Sequence, residues 1–583
     1  MGRIYKLEEL KAKTGHSVLK IDGYLLHSKY NPIIEAQKFA EKQYEPHHIH
    51  ILFGYGLGYI VDSLKEQFKF DEPLVVIDPL FDDSLLEVQA RHKANGVDKL
   101  LYNSNSIKKL EYIVNNIKEL GVQKNIKIIC SQNYEKIFPE IYLRVLKKVQ
   151  NIQRSNIINE NTLLLYSEIW QKNFSANLIS LFEDRNLLRL EQLYSCPVII
   201  ASGGPSLSKQ LPLLKEIQSK VIIIVAGSTI NSILPSGIVP DYVVSIDATE
   251  KNFNHFKGLE LDGSQLLYSV FNHPEIRGEF NNRGYAFTSS SDWAIQRYLT
   301  EKIGLNLPVI FGGGSVAQYA YSLAQYMSSG PIALIGQDLA YTNNQTHAAN
   351  NKQVESIEEG WKASDSMFTV EGFDGEDVWT NSVFNSMKIT FEQMIENSPP
   401  TNAVFNCTEG GVRLNGFEQK TFNEFCEEYI QGEFPNKEKC IENISYIVSQ
   451  DEWENLKGIL EYELEDYDQI KRQLLKGLTA LENNNSNTTF SNQTLKSLDK
   501  VDKEIAVLYP KVQMDFIVAP ITLEVLKSYL EKEKETPAEK YTRVYNQTKT
   551  LYSKLLEATK KSRIYTENII KRIDNEKIIK SGE

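Results

Sequence analysis

A chain of 583 residues that is 42% hydrophobic and 24% charged holds enough apolar material for several cores and, by length, for about three or four domains. Its formal charge of −12 excludes a general nucleic-acid binder, because no broad excess of Lys and Arg exists to displace phosphate counterions. The charged residues 1–20 lack an apolar signal core and no stretch reaches the roughly 18 apolar residues of a membrane span, so a cytoplasmic protein without a membrane segment is expected.

Strand and helix signals alternate through the first part of the chain. Strands are predicted at 49–53, 74–77, 100–102 and 126–130, with helices at 57–68, 85–93 and 107–120, which together form a small α/β domain with a parallel sheet over 1–141. Gly54, Gly56 and Gly58 follow the first strand and open a helix, and Asp78 ends the next strand. Strand, glycine turn, helix, strand and acid is the order of nucleotide and methyl-donor sites, where the acid meets ribose hydroxyls. Tyr55, Leu57 and Tyr59 add bulk around the glycines and no Arg or Lys stands nearby, so a packing turn is the preferred expectation and ligand binding the alternative. His47, His48 and His50 have no carboxylate or Cys at metal spacing and are expected at the surface.

From 142 to 194 the pattern becomes helical and free of glycine and proline, through Leu163, Leu164, Tyr166, Ile169, Trp170 and Phe174, until Cys196-Pro197 stops it. This reads as a connector. A larger α/β domain follows over 195–432, with apolar strands at 198–201, 221–226, 242–246, 266–270 and 332–335 and a further one at 404–406. Continuous apolar runs suit strands covered on both faces, hence a doubly wound sheet. Residues 433–583 show helical periodicity broken by the polar run 483–489, and read as an α-helical bundle. The basic residues Lys560, Lys561, Arg563, Lys571 and Arg572 are expected on a solvated helix face. Cys130, Cys196, Cys407, Cys426 and Cys440 are scattered without Cys-x-x-Cys spacing and predict neither a disulfide framework nor a zinc site.

Ligands of open parallel sheets sit outside the carboxyl ends of the strands. Ser202, Gly203, Gly204, Pro205 and Ser206 end the first central strand. The glycines admit a ligand close to the backbone, Pro205 presets the first helical φ, and Ser206 offers a hydroxyl beside free helix amides, a combination suited to phosphate. Gly227, Ser228 and Thr229 end the second strand and Asp247 the third. Gly313, Gly314 and Ser315 open a helix whose N–H groups suit a carboxylate or phosphate. Gln337, Asp338 and Tyr341 follow the strand at 332–335 and lead to His347, while Thr408, Glu409 and Gly410 end the last strand. All are expected on one crevice, with His347 or Asp338 as general base and Tyr341 as a donor to a leaving phosphate. Asp374, Glu376 and Asp377 are expected in a solvated loop, and no metal site is predicted.

Taken as a set, the segments 202–207, 226–229, 240–247, 313–316, 336–348 and 406–411 resemble the motility accessory factor (Maf) family of flagellin glycosyltransferases. The likeness is closest in the central domain, and Gly54 to Gly58 with the helical connector is similar to that family's amino-terminal region. The resemblance implies a central Rossmann-like, sialyltransferase-like domain, a smaller Rossmann-like domain before it and a helical domain after it. It also implies transfer of a nonulosonic acid, of pseudaminic, legionaminic or sialic type, from its CMP-activated form to Ser or Thr hydroxyls of flagellin. CMP-nonulosonate would be a substrate, and no cofactor is implied. Gly203 to Ser206 would approach the cytidylate, Ser228, Thr229 and Asp247 the nucleoside, Gly313 to Ser315 the sugar carboxylate, and Tyr341 the leaving phosphate. In the sialyltransferases the catalytic histidine lies well beyond the Asp-x-x-Tyr element, whereas His347 follows it closely. The central domain is also similar to archaeal pterin pyrophosphokinases, short enzymes that share the Gly-Gly-Pro-Ser turn and use ATP with magnesium. A non-catalytic flagellin-binding chaperone is the alternative from a different class.

Overall fold

The computed structural model describes residues 5–70, 72–79, 99–102, 110, 125–184, 187–281, 284–352, 367–430, 448–528 and 534–580. The helices expected at 85–93 and 107–120, and the domain boundary at 432, lie outside them. The chain divides into two compact units. One comprises Met1–Leu165, Asn487–Thr489 and Ala519–Leu551, the other Tyr166–Ser486, Phe490–Val518 and Tyr552–Glu583.

The first unit opens with an antiparallel meander, β1 (Leu7–Lys11), β2 (Ser17–Ile21) and β3 (Tyr24–Leu25), which the sequence reading missed. The reason is visible in β1, whose residues LEELK are almost all exposed and carry no apolar alternation. Helix α1 (Pro32–Gln43) starts where the Asn31 side chain accepts from the amides of Ile33 and Ile34, with Pro32 in the first turn. Then come β4 (His48–Phe53), α2 (Tyr59–Gln67), β5 (Leu74–Asp78), β6 (Lys99–Tyr102) and β7 (Asn125–Cys130), whose strands form a parallel sheet in the order β6-β5-β4-β7. Both faces of β4 are buried, Ile49, Ile51 and Phe53 in one core and Leu52 in another. His50 is not at the surface as expected. It is fully buried in β4 and stacks between Tyr44 and Phe68, and burial pushes its pKa down to about 4.

The predicted connector is one helix, α3 (Pro139–Glu183), assigned to the first unit up to Leu165 and to the second from Tyr166. In the second unit all six predicted strands form. They are β8 (Val198–Ala201), β9 (Ile222–Ala226), β10 (Tyr242–Ser245), β11 (Gln265–Ser269), β14 (Ile332–Ile335) and β17 (Val404–Asn406). Three more, β12 (Gly284–Ser289), β13 (Val309–Ile310) and β18 (Glu418–Gln419), complete a nine-stranded sheet of order β13-β12-β11-β10-β9-β8-β14-β17-β18, every pair parallel. Residues alternate between two cores: Ile199, Ile223, Val225 and Val243 face one, Val198, Ile200, Ile222, Ile224 and Val244 the other. At about 1.5–3 kcal/mol for each large aliphatic side chain, this double burial dominates the stability of the unit. It also explains why the strands read as unbroken apolar runs.

A hairpin, β15 (Met367–Glu371) and β16 (Asp377–Asn381), stands apart from this sheet. Helices of the second unit that bear on the site are α4 (Leu207–Ile217), α5 (Glu250–Phe256), α6 (Val316–Met327), α7 (Ser382–Asn397) and α8 (Phe422–Tyr429). Toward the carboxyl end, α9 (Gln450–Glu482) and α10 (Asn492–Leu508) flank the predicted polar run. Buried Glu463 of α9 accepts from Tyr298 and Tyr467 hydroxyls at 2.6 and 2.9 Å, which satisfies a carboxyl that burial holds above its usual range. Among the described residues no helix is long and apolar enough to cross a membrane.

Candidate functional site

Strand order reverses between β8 and β14. The chain runs outward from β8 through β9 to β13, then returns to lay β14 on the other side of β8. A crevice opens at such a point because the two flanking connections leave in opposite directions. The turn after β8 and the turn after β14 meet there. The Ser202 amide donates to Ile335 O and the Gly204 amide to Gly336 O at 2.9 and 2.8 Å.

The anion in this turn is the protein's own. Asp338 accepts from the Ser206 amide at 3.2 Å and from the Ser206 hydroxyl at 2.5 Å. Its carboxyl is almost wholly buried, and burial raises its pKa against the lowering effect of these donors. The Ser206 hydroxyl is thus engaged by Asp338, and Asp338, expected as an alternative general base, holds this turn together. Gly204 serves the same packing, because a Cβ there would lie 2.3 Å from Asp338 Oδ2 and 2.5 Å from Gly336 O. Pro205 precedes α4 by one residue instead of beginning it. Ser202, Gln337 and Thr408 likewise bind one another. The Ser202 hydroxyl donates to Gln337 Oε1 at 2.6 Å, and the Gln337 amide donates to Thr408 Oγ1 at 3.1 Å.

Gly203 differs. A Cβ there would lie 3.1 Å from Thr229 Oγ1, 3.2 Å from Asn351 Nδ2 and 3.7 Å from His347 Cδ2, so these three side chains converge on the bare glycine. His347 is held there by its neighbours, since the Ala348 amide donates to Gly203 O at 2.9 Å and the Ala349 amide to Ser208 Oγ at 3.2 Å. Gly227, at φ +49°, turns the chain toward Val316 at the start of α6. That brings the end of β9 beside the segment of Gly313, Gly314 and Ser315. Gly314 has open space about its Cα, while Gly313 packs on Gln318 and Thr390; Gln318 Oε1 accepts from the Ser315 amide at 3.1 Å. Ser228 is half-buried and its carbonyl accepts from Asn231. Asp247 is exposed at the end of β10, with Oδ1 accepting from the Thr249 amide at 2.8 Å.

Three residues near these groups escaped the sequence reading. Asn351 follows His347 by four positions. His255 lies in the last turn of α5, where burial first, then Lys352 and Lys251, lower its pKa, opposed by Asp247; His347 also lowers it. Lys352 is anchored by donating from Nζ to Asn254 O at 2.7 Å. Only proximity to His347 marks them, and their surroundings in the sequence hold no motif.

Tyr341, Glu409 and Gly410 line a different hollow. A cavity of about 530 Å³ is bounded by Pro205, Ser206, Lys209, Tyr341, Thr342, Glu409 and Gly410, and by hairpin residues that include Asp374, Glu376, Asp377 and Trp379. The Glu409 carboxylate is turned away to accept from the Phe422 amide at 2.8 Å, where α8 begins, and Lys209 Nζ donates to Glu409 O. The Tyr341 hydroxyl accepts from Asn381 Nδ2. The residues expected around one crevice thus divide: Pro205, Ser206, Tyr341, Glu409 and Gly410 line this cavity, while Thr229 and His347 pack against Gly203.

In the first unit the glycine turn after β4 is filled from within. Asp78 accepts from the amides of Tyr55 and Gly56 at 2.9 and 3.3 Å and from the Tyr134 hydroxyl at 2.9 Å. The Tyr134 oxygen in turn accepts from the Gly56 amide at 2.9 Å, and His27 Nε2 accepts from the Leu57 amide at 3.2 Å. Cβ atoms at Gly54 and Gly56 would strike the Tyr134 ring and His27. The acid that would meet a ribose is fully buried.

The sequence model of the 6-hydroxymethylpterin diphosphokinase MptE-like family matches residues 172–344, which include β8 to β14 and the turns at both ends of the reversal. No curated protein matches the sequence. Among solved structures, the chain is similar to the MAf glycosyltransferase from Magnetospirillum magneticum AMB-1, with a TM-score of 0.57 and 12% identity, over 98% of this chain and 94% of that one. The likeness carried by the motifs extends to the architecture: along nearly its whole length the chain has the fold of that glycosyltransferase, two α/β sheets with a helical carboxyl region.

Proposed function

We propose that this protein is a glycosyltransferase that moves a nonulosonic acid from a CMP-activated donor to Ser or Thr hydroxyls of flagellin. The observation that carries this reading is the convergence of Thr229, Asn351 and His347 on Gly203 at the strand-order reversal, in a chain with a glycosyltransferase's fold. A bare glycine at that point lets the donor approach the backbone, and the N-terminus of α6 beside Gly227 supplies amides for an anionic group. Lys251 and Lys352 add positive charge nearby, which favours a donor bearing both phosphate and carboxylate.

In the proposed step the acceptor hydroxyl oxygen bonds to the anomeric carbon and the bond from that carbon to the phosphate oxygen breaks. The bonding pair leaves with CMP, and the hydroxyl proton passes to His347. Positive character builds on the sugar and negative charge on the phosphate, so donors aimed at the phosphate lower the barrier more than they tighten donor binding.

The family match favours a second reading, transfer of a diphosphate from ATP to a pterin with release of AMP. Incubating the protein with CMP-nonulosonates and flagellin, or with ATP and a hydroxymethylpterin, separates the two. CMP release with a matching gain in the intact mass of flagellin is expected, and AMP release without CMP release would replace the glycosyltransferase reading.

A further inference from the structure

Resting on the glycosyltransferase reading, we infer that the cavity between the 205–209 turn and the β15–β16 hairpin is the acceptor subsite, and that it selects an acceptor peptide carrying a cationic side chain next to the modified hydroxyl. Its volume of about 530 Å³ falls in the range of small-ligand sites. Its walls are fixed before any ligand arrives. The Tyr341 amide donates to Trp379 O at 2.9 Å and the Thr380 hydroxyl to Leu339 O at 2.8 Å. On the other side the Phe373 amide donates to Gly411 O at 2.9 Å and the Arg413 amide to Glu371 O at 3.0 Å.

The cavity shares a turn with Gly203. Pro205 and Ser206 line it, and Ser206 stands three residues from Gly203, at most about 11 Å along an extended backbone. A side chain of an acceptor seated beside Ser206 has that distance to span toward a donor at Gly203 for the transfer to occur.

Charge assigns the occupants. Asp374, Glu376 and Asp377 sit exposed on the tight tip of the hairpin, closed by the Gly372 amide donating to Glu376 O at 2.8 Å. The cation lining the cavity, Lys209, already donates to the Glu409 carbonyl. An anionic nucleotide-sugar is repelled by such a mouth, whereas a Lys or Arg of an acceptor segment is drawn to it. The cationic neighbourhood of His255 and His347 shows the opposite preference.

The test is calorimetric binding of two synthetic serine peptides, identical except for lysine or glutamate beside the serine, to the full chain without donor. The lysine peptide is expected to bind at least about tenfold tighter. In the triple variant Asp374→Asn, Glu376→Gln, Asp377→Asn that ratio is expected to fall toward one, with an unchanged thermal unfolding midpoint showing that the hairpin still folds. Equal binding of the two peptides by the unsubstituted protein would overturn the assignment, as would a ratio that survives the triple substitution. Binding is read without turnover, so a failure to release CMP would remove the glycosyltransferase reading while this ratio still reports on the cavity.

Discussion

Two glycine turns in this chain follow a parallel strand and precede a helix, yet they end in different states. After β4 the turn is closed: Tyr134, His27 and Asp78 occupy the space and consume the amides that a phosphate would use. After β8 the turn is half closed, with Asp338 taking the amide and hydroxyl of Ser206, while Gly203 three residues earlier is packed less tightly than Gly54, a Cβ there meeting Thr229, Asn351 and His347 at 3.1, 3.2 and 3.7 Å. A glycine-rich turn is thus a site for close approach, and tertiary structure decides whether a ligand or the protein itself makes that approach.

The largest effect expected from breaking this contrast lies at the turn after β8. Replacing His347 by Ala should lower turnover, followed by CMP release, by about 10²–10⁴-fold while the donor dissociation constant changes little; equal losses in both would reassign His347 to donor binding.

A paired substitution sharpens the comparison directly. Gly54→Ala places a Cβ 2.4 Å from the Tyr134 ring at φ +99°, and should destabilise the first unit by about 2–4 kcal/mol in denaturant unfolding without touching donor affinity. Gly203→Ala meets the Thr229, Asn351 and His347 side chains at 3.1, 3.2 and 3.7 Å, longer than the contact at Gly54. It should weaken donor binding by about tenfold or more while stability stays within about 1 kcal/mol. If the two glycines exchanged these outcomes, the assignments of the two turns would be reversed.

The smallest effect concerns acid. His50 in the first unit has a folded pKa of about 4, below its ordinary 6.5, because burial disfavours the charged ring. The neutral ring therefore contributes stability that is present above pH 6.5 and lost as pH falls toward 4. Asp292 in the second unit has a folded pKa of about 6, raised by burial from 3.8, so its contribution is present below pH 3.8 and lost as pH rises through 6. Thermal unfolding followed separately in each unit should show His50→Gln flattening the acid limb of the first unit alone, and Asp292→Asn flattening the loss of stability as pH rises from 3.8 through 6 in the second.

Much of the architecture was legible because burial on both faces forces unbroken apolar runs, as in Ile222–Ala226 and Ile332–Ile335. Most elements missed lack that pressure: the exposed β1, the two-residue β13 and β18, and the partly exposed β15–β16 hairpin; β2 and β12 were missed although mostly buried, because SVLKI and GYAFTS hold Ser, Lys, Gly and Thr in place of an unbroken apolar run. The strand-end residues were legible as a set. Their division was not, because it depends on where Asp338 and Glu409 point, and a carboxylate's partner has no signature in the residues beside it. His255, Asn351 and Lys352 were hidden for the same reason.

By itself, the sequence determined that the chain is an α/β protein with a doubly wound central sheet, and which turns end its strands, since both follow from local apolar pattern and from glycine's backbone freedom. Only the tertiary structure decided which side chains fill each turn, and how tightly. That choice is made by side chains such as Tyr134, 78 residues from the Gly56 amide it fills, and Asp338, 132 residues from the Ser206 it clamps.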